Sequence, residues 1–133
     1  MLKKRFRLKS RPLFRKTLNP QFGTRLCSNR FFTLLGLKRT EQAFESDRQL
    51  AEQGLASYHT PRFGFVISTK VHKRANKRNK IRRRLRELVR RELLPRQLAC
   101  LNDYRTFVFI PKTAMVDARF EEIKHQFFKS FRM

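Results

Sequence analysis

The residues with the clearest chemistry lie in one stretch, 70–91, which reads KVHKRANKRNKIRRRLRELVRR. Twelve of these 22 residues are Lys or Arg and Glu87 is the one acid, so the stretch holds +11 of the chain's net charge of +23. Arg presents a planar fork of N–H donors that matches the oxygens of a phosphate. Cations at this density therefore indicate a surface that binds a polyanion.

The spacing within this stretch predicts a long helix over 74–94, which Pro95 ends. At about 100° per residue its apolar side chains gather on one face. These are Ile81, Leu85, Leu88 and Val89. The opposite face collects Asn79, Arg82, Arg83, Arg86 and Arg90. A solvated face normally mixes charges of both signs in i,i+4 pairs, so this one-sign face favours nucleic-acid binding over mere solvation.

Composition supports one folded, nucleic-acid-binding domain. The chain has 133 residues, and about 100–200 residues make one domain. Its 14 Phe predict a packed core rather than a disordered basic tail. A net charge of magnitude about 2–8 suffices for solubility, so +23 calls for a polyanionic partner. We expect no membrane span and no secretory signal, and two reduced cysteines, Cys27 and Cys100, in a cytoplasmic protein.

Catalytic patterns do not emerge from the sequence. His59, His72 and His125 are scattered over three segments, and no spacing typical of a metal site, a phosphate-binding loop or a nucleophile is found. The acids Glu121 and Glu122 suit the first turn of a last helix instead. We therefore expect no catalytic residue and no metal ligand on the protein itself.

The elements that must position the basic helix form an α+β pattern. A helix is predicted at about 11–18 with Ser10 as its N-cap, and Asp117 is predicted to cap a last helix with an apolar stripe. Strands are predicted at 30–38, 62–71 and 104–110, and the order leaves room for one more near 24–29. Residues 39–60 hold four of the ten acids and are interpreted as an exposed insertion in a single domain, 1–133.

The stretch from Phe65 to Glu87, FVISTKVHKRANKRNKIRRRLRE, resembles the signature of the bacterial ribonuclease P protein family. That signature runs Ser-Lys-Lys, Lys-Arg-Ala, an Arg-Asn-Arg core and an Arg-Glu end. Arg7-Leu8-Lys9 followed by Phe14 is similar as well, and the resemblance covers nearly the whole chain outside 39–60. Lys80 departs from it, since it stands where the family has the second Arg of the core.

The resemblance implies a fold and an activity. The fold is a mixed sheet of about four strands with three helices, in the order α-β-β-β-α-β-α, similar to domain 2 of ribosomal protein S5 and with a left-handed βαβ crossover. The activity is removal of the 5′ leader from precursor tRNA, an endonucleolytic hydrolysis that the RNA subunit catalyses with Mg²⁺. The protein would bind the catalytic RNA and the precursor tRNA, with no membrane and no obligate protein partner.

The resemblance also assigns residues to the two RNAs. Those expected to bind the RNA subunit are Arg74, Arg78, Asn79, Lys80, Arg82, Arg83, Arg86 and Arg90. Those expected to line a cleft for the leader, between the sheet and the first helix, are Phe14, Leu18, Phe32 and Lys70. Two other functions stay open: a ribosomal or RNA-chaperone-type RNA-binding protein, and a DNA-binding regulator, which would need a dimer.

Overall fold

The computed structural model describes residues 6–9, 11–38, 61–94 and 104–131. Three α-helices and four strands follow one another along these residues. In chain order they are α1 (Arg11–Leu18), β1 (Thr24–Ser28), β2 (Phe32–Lys38), β3 (Arg62–Phe65), α2 (Ala75–Leu88), β4 (Tyr104–Pro111) and α3 (Phe120–Ser130). A π-helical segment, Val89–Leu93, continues α2, and a 3₁₀ turn, Thr113–Met115, precedes α3. The predicted element order is confirmed, including the strand near 24–29.

The four strands form one mixed sheet in the order β1-β2-β4-β3. The pairs β1–β2 and β2–β4 are antiparallel, whereas β3 and β4 are parallel. Parallel neighbours need a long crossover connection, and α2 lies within the connection from β3 to β4. The structure confirms the α+β class and the βαβ unit, and the left hand of its crossover stays a prediction.

One face of the sheet carries the aromatic core. The rings of Phe63 and Phe107 stack across β3 and β4 at 5.5 Å between centroids, and Phe109 stacks on Phe127 of α3 at 5.6 Å. Ile81 and Leu85 of α2 are buried in the same cluster. Helices α2 and α3 therefore cover this face of the sheet and pack on it through their apolar stripes.

Helix α1 packs on the other face of the sheet. Successive strand residues point to opposite faces of the sheet, so Thr106 and Gly64 lie on the face away from the side chains of Phe107 and Phe63. The hydroxyls of Thr17 and Thr106, both buried, lie 2.7 Å apart. The structure thus has three layers, with α1 on one side and α2 and α3 on the other.

Two local predictions are wrong. The third strand ends at Phe65, not at 71: Val66 still donates its N–H to the carbonyl of Phe109, but the chain then enters a turn closed by Val71 and Ser68. Asp117 does not cap the last helix, because α3 begins at Phe120 after Arg119, with no side-chain cap.

The long helix predicted over 74–94 is confirmed, since α2 and its π-helical continuation together span 75–93, but the helix widens in its last part. In a continuous α-helix Leu93 would lie about 140° around from Leu88. A π turn bonds residues five apart, which keeps Leu88 and Leu93 on the same side, and both are buried. The predictions for Ser10, 39–60, Pro95 and Cys100 lie outside the described residues.

No helix within the described ranges is long and apolar enough to cross a membrane.

Candidate nucleic-acid interface

The interface is organised by α2, which buries one face and presents cations on the rest of its surface. Ile81, Leu85 and Leu88 are buried, as predicted from their spacing. Asn79, Arg83 and Arg90 are exposed on the side away from the sheet, and they are called here the outer face of α2. The remaining basic residues lie on the two flanks of the helix, where it meets neighbouring elements.

One flank of α2 borders a groove of about 220 Å³, called here the α1 groove. It lies where the N-terminal segment, α1, β3 and α2 meet. Its lining residues are Arg7, Leu8, Lys9, Phe14, Phe63, Gly64, Phe65, Arg82 and Arg86. The groove combines cations, of which Lys9 is exposed and the three Arg are half-buried, with aromatic side chains, and its lining residues include no acid.

Arg86 is the most perturbed group of this groove. Burial lowers the pKa of its guanidinium, and the charges of Arg7 and Arg82 lower it further. Its charged group lies 6.0 Å from the centroid of the Phe65 ring, and its Nε is buried with no hydrogen-bond partner among the described residues. Converging guanidinium groups destabilise one another until an anion neutralises them, so the arrangement suits a phosphate group.

Several predicted RNA-binding residues have structural contacts of their own. Arg78 donates from Nη1 to the carbonyls of His72 and Lys73, at 2.9 and 2.8 Å, and so braces the turn before α2. Arg82 donates to Oδ1 of Asn79 at 2.9 Å. Arg90 forms an ion pair with Glu87, N to O 2.9 Å, which partly neutralises it.

The other predicted residues of this set differ in what surrounds them. Arg74 is exposed at the N-cap of α2, where its backbone N–H donates to Nδ1 of His72. Arg83 is exposed and forms no ion pair within the described part of the chain. Lys80 lies on the flank of α2 opposite Arg82 and Arg86, beside α3.

Of the four residues expected to line the leader cleft, only Phe14 lines the α1 groove. Leu18 lies at the end of α1 with 38% of its surface exposed, and Lys70 is exposed in the turn after β3. Phe32 does not line a cleft, and that prediction is wrong. Its side chain is fully buried against Phe109 on the sheet face opposite α1.

Six groove residues were not assigned to the site from the sequence, and three of them, Arg7, Gly64 and Phe65, bear on its chemistry. Arg7 belongs to the Arg7-Leu8-Lys9 motif, but its position near Arg86 results from tertiary packing. Phe65 was assigned to strand packing, and it is half-buried under the Arg86 guanidinium. Gly64 carried a usable signal, since a Gly inside an apolar strand often marks a close approach by another element.

The match to known proteins covers almost the entire chain. The family model described as Ribonuclease P matches residues 2–133. The RNase P protein of Staphylococcus aureus has a similar structure, with a TM-score of 0.66 and 19% identity, covering 96% of this chain and 93% of that one. The protein from Thermotoga maritima has a TM-score of 0.65 and 20% identity, with 92% of each chain covered.

A mutant of the Staphylococcus aureus protein, described as defective in mRNA degradation activity, has a TM-score of 0.68 at 19% identity. It covers 97% of this chain and 87% of that one. No curated protein sequence matches the chain. The structural matches share the fold described above, and the family model extends over both the basic helix and the α1 groove. The chain therefore belongs to the ribonuclease P protein family and is the RNA-binding protein subunit of an endoribonuclease that acts in tRNA processing.

Proposed function

We propose that this chain binds the catalytic RNA of ribonuclease P through the outer face of α2 and holds the 5′ leader of precursor tRNA in the α1 groove. The observation that carries the proposal is the concentration of cations on and around α2, since residues 70–91 include 12 basic residues and a single acid. The two RNAs repel each other as polyanions, and a cationic protein at their junction offsets that repulsion. Its place of action is the cytoplasm.

The chemistry of the α1 groove favours a single strand over a duplex. Proteins that hold single-stranded RNA combine a cationic groove with aromatic side chains on which bases stack. Here Phe14 and Phe65 supply rings, and Arg82 and Arg86 supply charge within the same 220 Å³. The leader is the single-stranded part of the substrate, so we assign it to this groove, and we keep Leu18 and Lys70 as further leader contacts.

The protein contributes charge and positioning rather than bond cleavage. Among the described residues no three His, Cys, Asp or Glu side chains come together as a metal site. We assign both the hydrolysis and the Mg²⁺ to the RNA subunit. The protein lowers the Mg²⁺ concentration that the RNA needs, and equal Mg²⁺ optima with and without protein would refute this part of the proposal.

Phe14→Ala tests the assignment of the leader. Affinity of the complex between protein and RNA subunit is measured for a precursor tRNA with a long leader and for the mature tRNA, at about 150 mM salt so that nonspecific phosphate binding is weak. We expect a loss of about 5- to 150-fold for the precursor, the range for one stacked base, and little change for the mature tRNA. Equal losses for both ligands would contradict the assignment and leave Phe14 as a packing residue.

The alternative function, a ribosomal or RNA-chaperone-type protein, makes a different prediction. Such a protein would sediment with ribosomal subunits and bind structured RNAs without preference for ribonuclease P RNA. We expect the chain to prefer ribonuclease P RNA over a ribosomal RNA fragment of equal length.

A further inference from the structure

A second groove lies between α2 and α3, on the flank of α2 opposite the α1 groove. It has a volume of about 570 Å³ and is called here the α3 groove. Its lining residues are Lys80, Arg83, Arg84, Glu87, Leu88, Arg91, Glu92, Phe120 and Lys124. None of these except Lys80 and Arg83 has a place in the interface proposed above.

The α3 groove is held in shape by two contacts between its walls. Arg84 donates from Nη1 to the carbonyl of Ala118 at 3.1 Å, which fixes the chain just before α3. Further along, Lys124 of α3 forms an ion pair with Glu92, N to O 3.1 Å. These two contacts join α2 and its π-helical continuation to α3 and to the residues just before it.

The charges in this groove are unevenly distributed. At one end Glu87 pairs with Arg91, N to O 2.8 Å, and Glu92 pairs with Lys124, so these charges largely cancel. At the other end Lys80 and Arg83 are exposed and form no ion pair with a described residue. The groove thus has a cationic end, toward the start of α2, and a neutral end.

Phe120 gives the groove an aromatic wall. Ile123, Phe127 and Phe131 on the same helix stripe are buried, whereas 39% of the Phe120 surface is exposed. An exposed ring beside unpaired cations offers stacking for a base and charge for its phosphate. An apolar protein segment would bury the ring equally well but would leave Lys80 and Arg83 without a counter-charge.

We propose that the α3 groove binds one unpaired nucleotide of the ribonuclease P RNA subunit, with its base on the Phe120 ring and its phosphate held by Lys80 and Arg83. The inference depends on the proposed function. The RNA subunit is chosen over the substrate because this groove adjoins the outer face of α2 and lies on the far flank from the α1 groove, where the leader is placed.

Because the sequence contains no tryptophan, a single introduced Trp can serve as a fluorescence probe. Phe120→Trp introduces the one indole of the chain, and a base that stacks on it quenches its fluorescence. Phe22→Trp is the matched control, since Phe22 is also exposed, at 52%, but follows α1, outside the α3 groove. Titration with ribonuclease P RNA is expected to quench the first variant at a stoichiometry of one and the control much less.

Affinity for the same RNA supplies the second readout. Phe120→Ala is expected to weaken binding by about 5- to 150-fold, the range for loss of one stacked base, and Phe22→Ala to leave it unchanged. Phe120→Leu separates the two occupants: a nucleotide loses affinity with Leu as with Ala, whereas an apolar protein segment tolerates Leu. Circular dichroism confirms that each variant is folded.

The results separate this inference from the proposed function. If the unaltered protein binds the RNA subunit and stimulates cleavage, an unquenched indole at position 120 or an unchanged affinity of Phe120→Ala overturns the inference alone. If the unaltered protein does not bind the RNA subunit, the proposed function fails and the inference fails with it.

Discussion

Gly64 of β3 determines how closely α1 approaches the sheet, and Gly64→Ala tests that packing. A Cβ built at this position would lie well inside 3.0 Å of Cε1 and Cζ of Phe14, and 3.1 Å from Cδ2 of Leu8. Carbon atoms in contact are normally about 3.5–4.0 Å apart, so the Phe14 ring must withdraw. The substitution therefore pushes into the α1 groove the side chain that we assign to the leader.

The magnitude follows from the cost of overpacking. An extra carbon in a packed site destabilises by about 1–3 kcal/mol when its neighbours must shift. With Phe14→Ala already in place, the ring atoms that clash are absent. Gly64→Ala should then be neutral or stabilise by up to about 1 kcal/mol, because Ala restricts the unfolded chain more than Gly does. The coupling between the two positions is expected to be about 1–3 kcal/mol.

Urea unfolding of the four proteins in this double-mutant cycle measures the coupling. In the otherwise unaltered protein Gly64→Ala should lower the free energy of unfolding, and it should also weaken binding of the leader-bearing tRNA relative to mature tRNA. If Gly64→Ala lowers the free energy of unfolding by the same amount with and without the Phe14 ring, the packing argument is refuted.

Three further perturbations test other parts of the structure. Leu85→Ala removes a fully buried side chain of α2 and should lower the free energy of unfolding by about 2–5 kcal/mol in urea; a loss below about 1 kcal/mol would contradict its place in the core. Hydrogen bonds from Arg90 hold the pKa of Glu87 at about 2, below its ordinary value of 4.5. Since the folded pKa is depressed, the stabilisation from Glu87 is present above about pH 4.5 and is lost as the pH falls toward 2. The difference in unfolding free energy between the unaltered protein and Glu87→Gln should therefore shrink as the pH falls through that window. A difference that stays constant would contradict the ion pair. Arg83→Ala should weaken binding to ribonuclease P RNA, reduce the slope of log affinity against log salt by about 1, and leave the circular dichroism spectrum unchanged; an unchanged slope would remove Arg83 from the RNA contact.

The sequence predicted best those features that local periodicity controls. The bounds of α1 follow from the helix start and stop residues around it. The buried stripe of α2 follows from spacing, because every third or fourth residue of a helix shares a face. Arg82, Arg83, Arg86 and Arg90 were expected together on the face opposite the apolar stripe, but the structure places two of them, Arg82 and Arg86, on the flank that borders the α1 groove. Arg82 and Arg86 border α1 while Lys80 and Arg84 border α3, a division that depends on the neighbours of the helix.

The errors arose where tertiary contacts override local signals. Phe32 carries the same strand signal whichever sheet face it occupies, and the register that buries it against Phe109 is set by pairing with β4. Asp117 is a good cap by residue type, but Ala118 and Arg119 separate it from Phe120, the first residue of α3. The π turn after Leu88 keeps Leu93 buried, which a constant helical period does not anticipate.

Reconstitution of leader removal tests the central claim most directly. The purified protein is mixed with a bacterial ribonuclease P RNA and a precursor tRNA at low Mg²⁺ and about 150 mM salt, where the RNA alone must overcome strong phosphate repulsion. We predict protein-dependent cleavage at the mature 5′ end, at a lower Mg²⁺ concentration than the RNA needs alone. Tight RNA binding without stimulation of cleavage would contradict the account and reduce α2 to a generic RNA-binding surface.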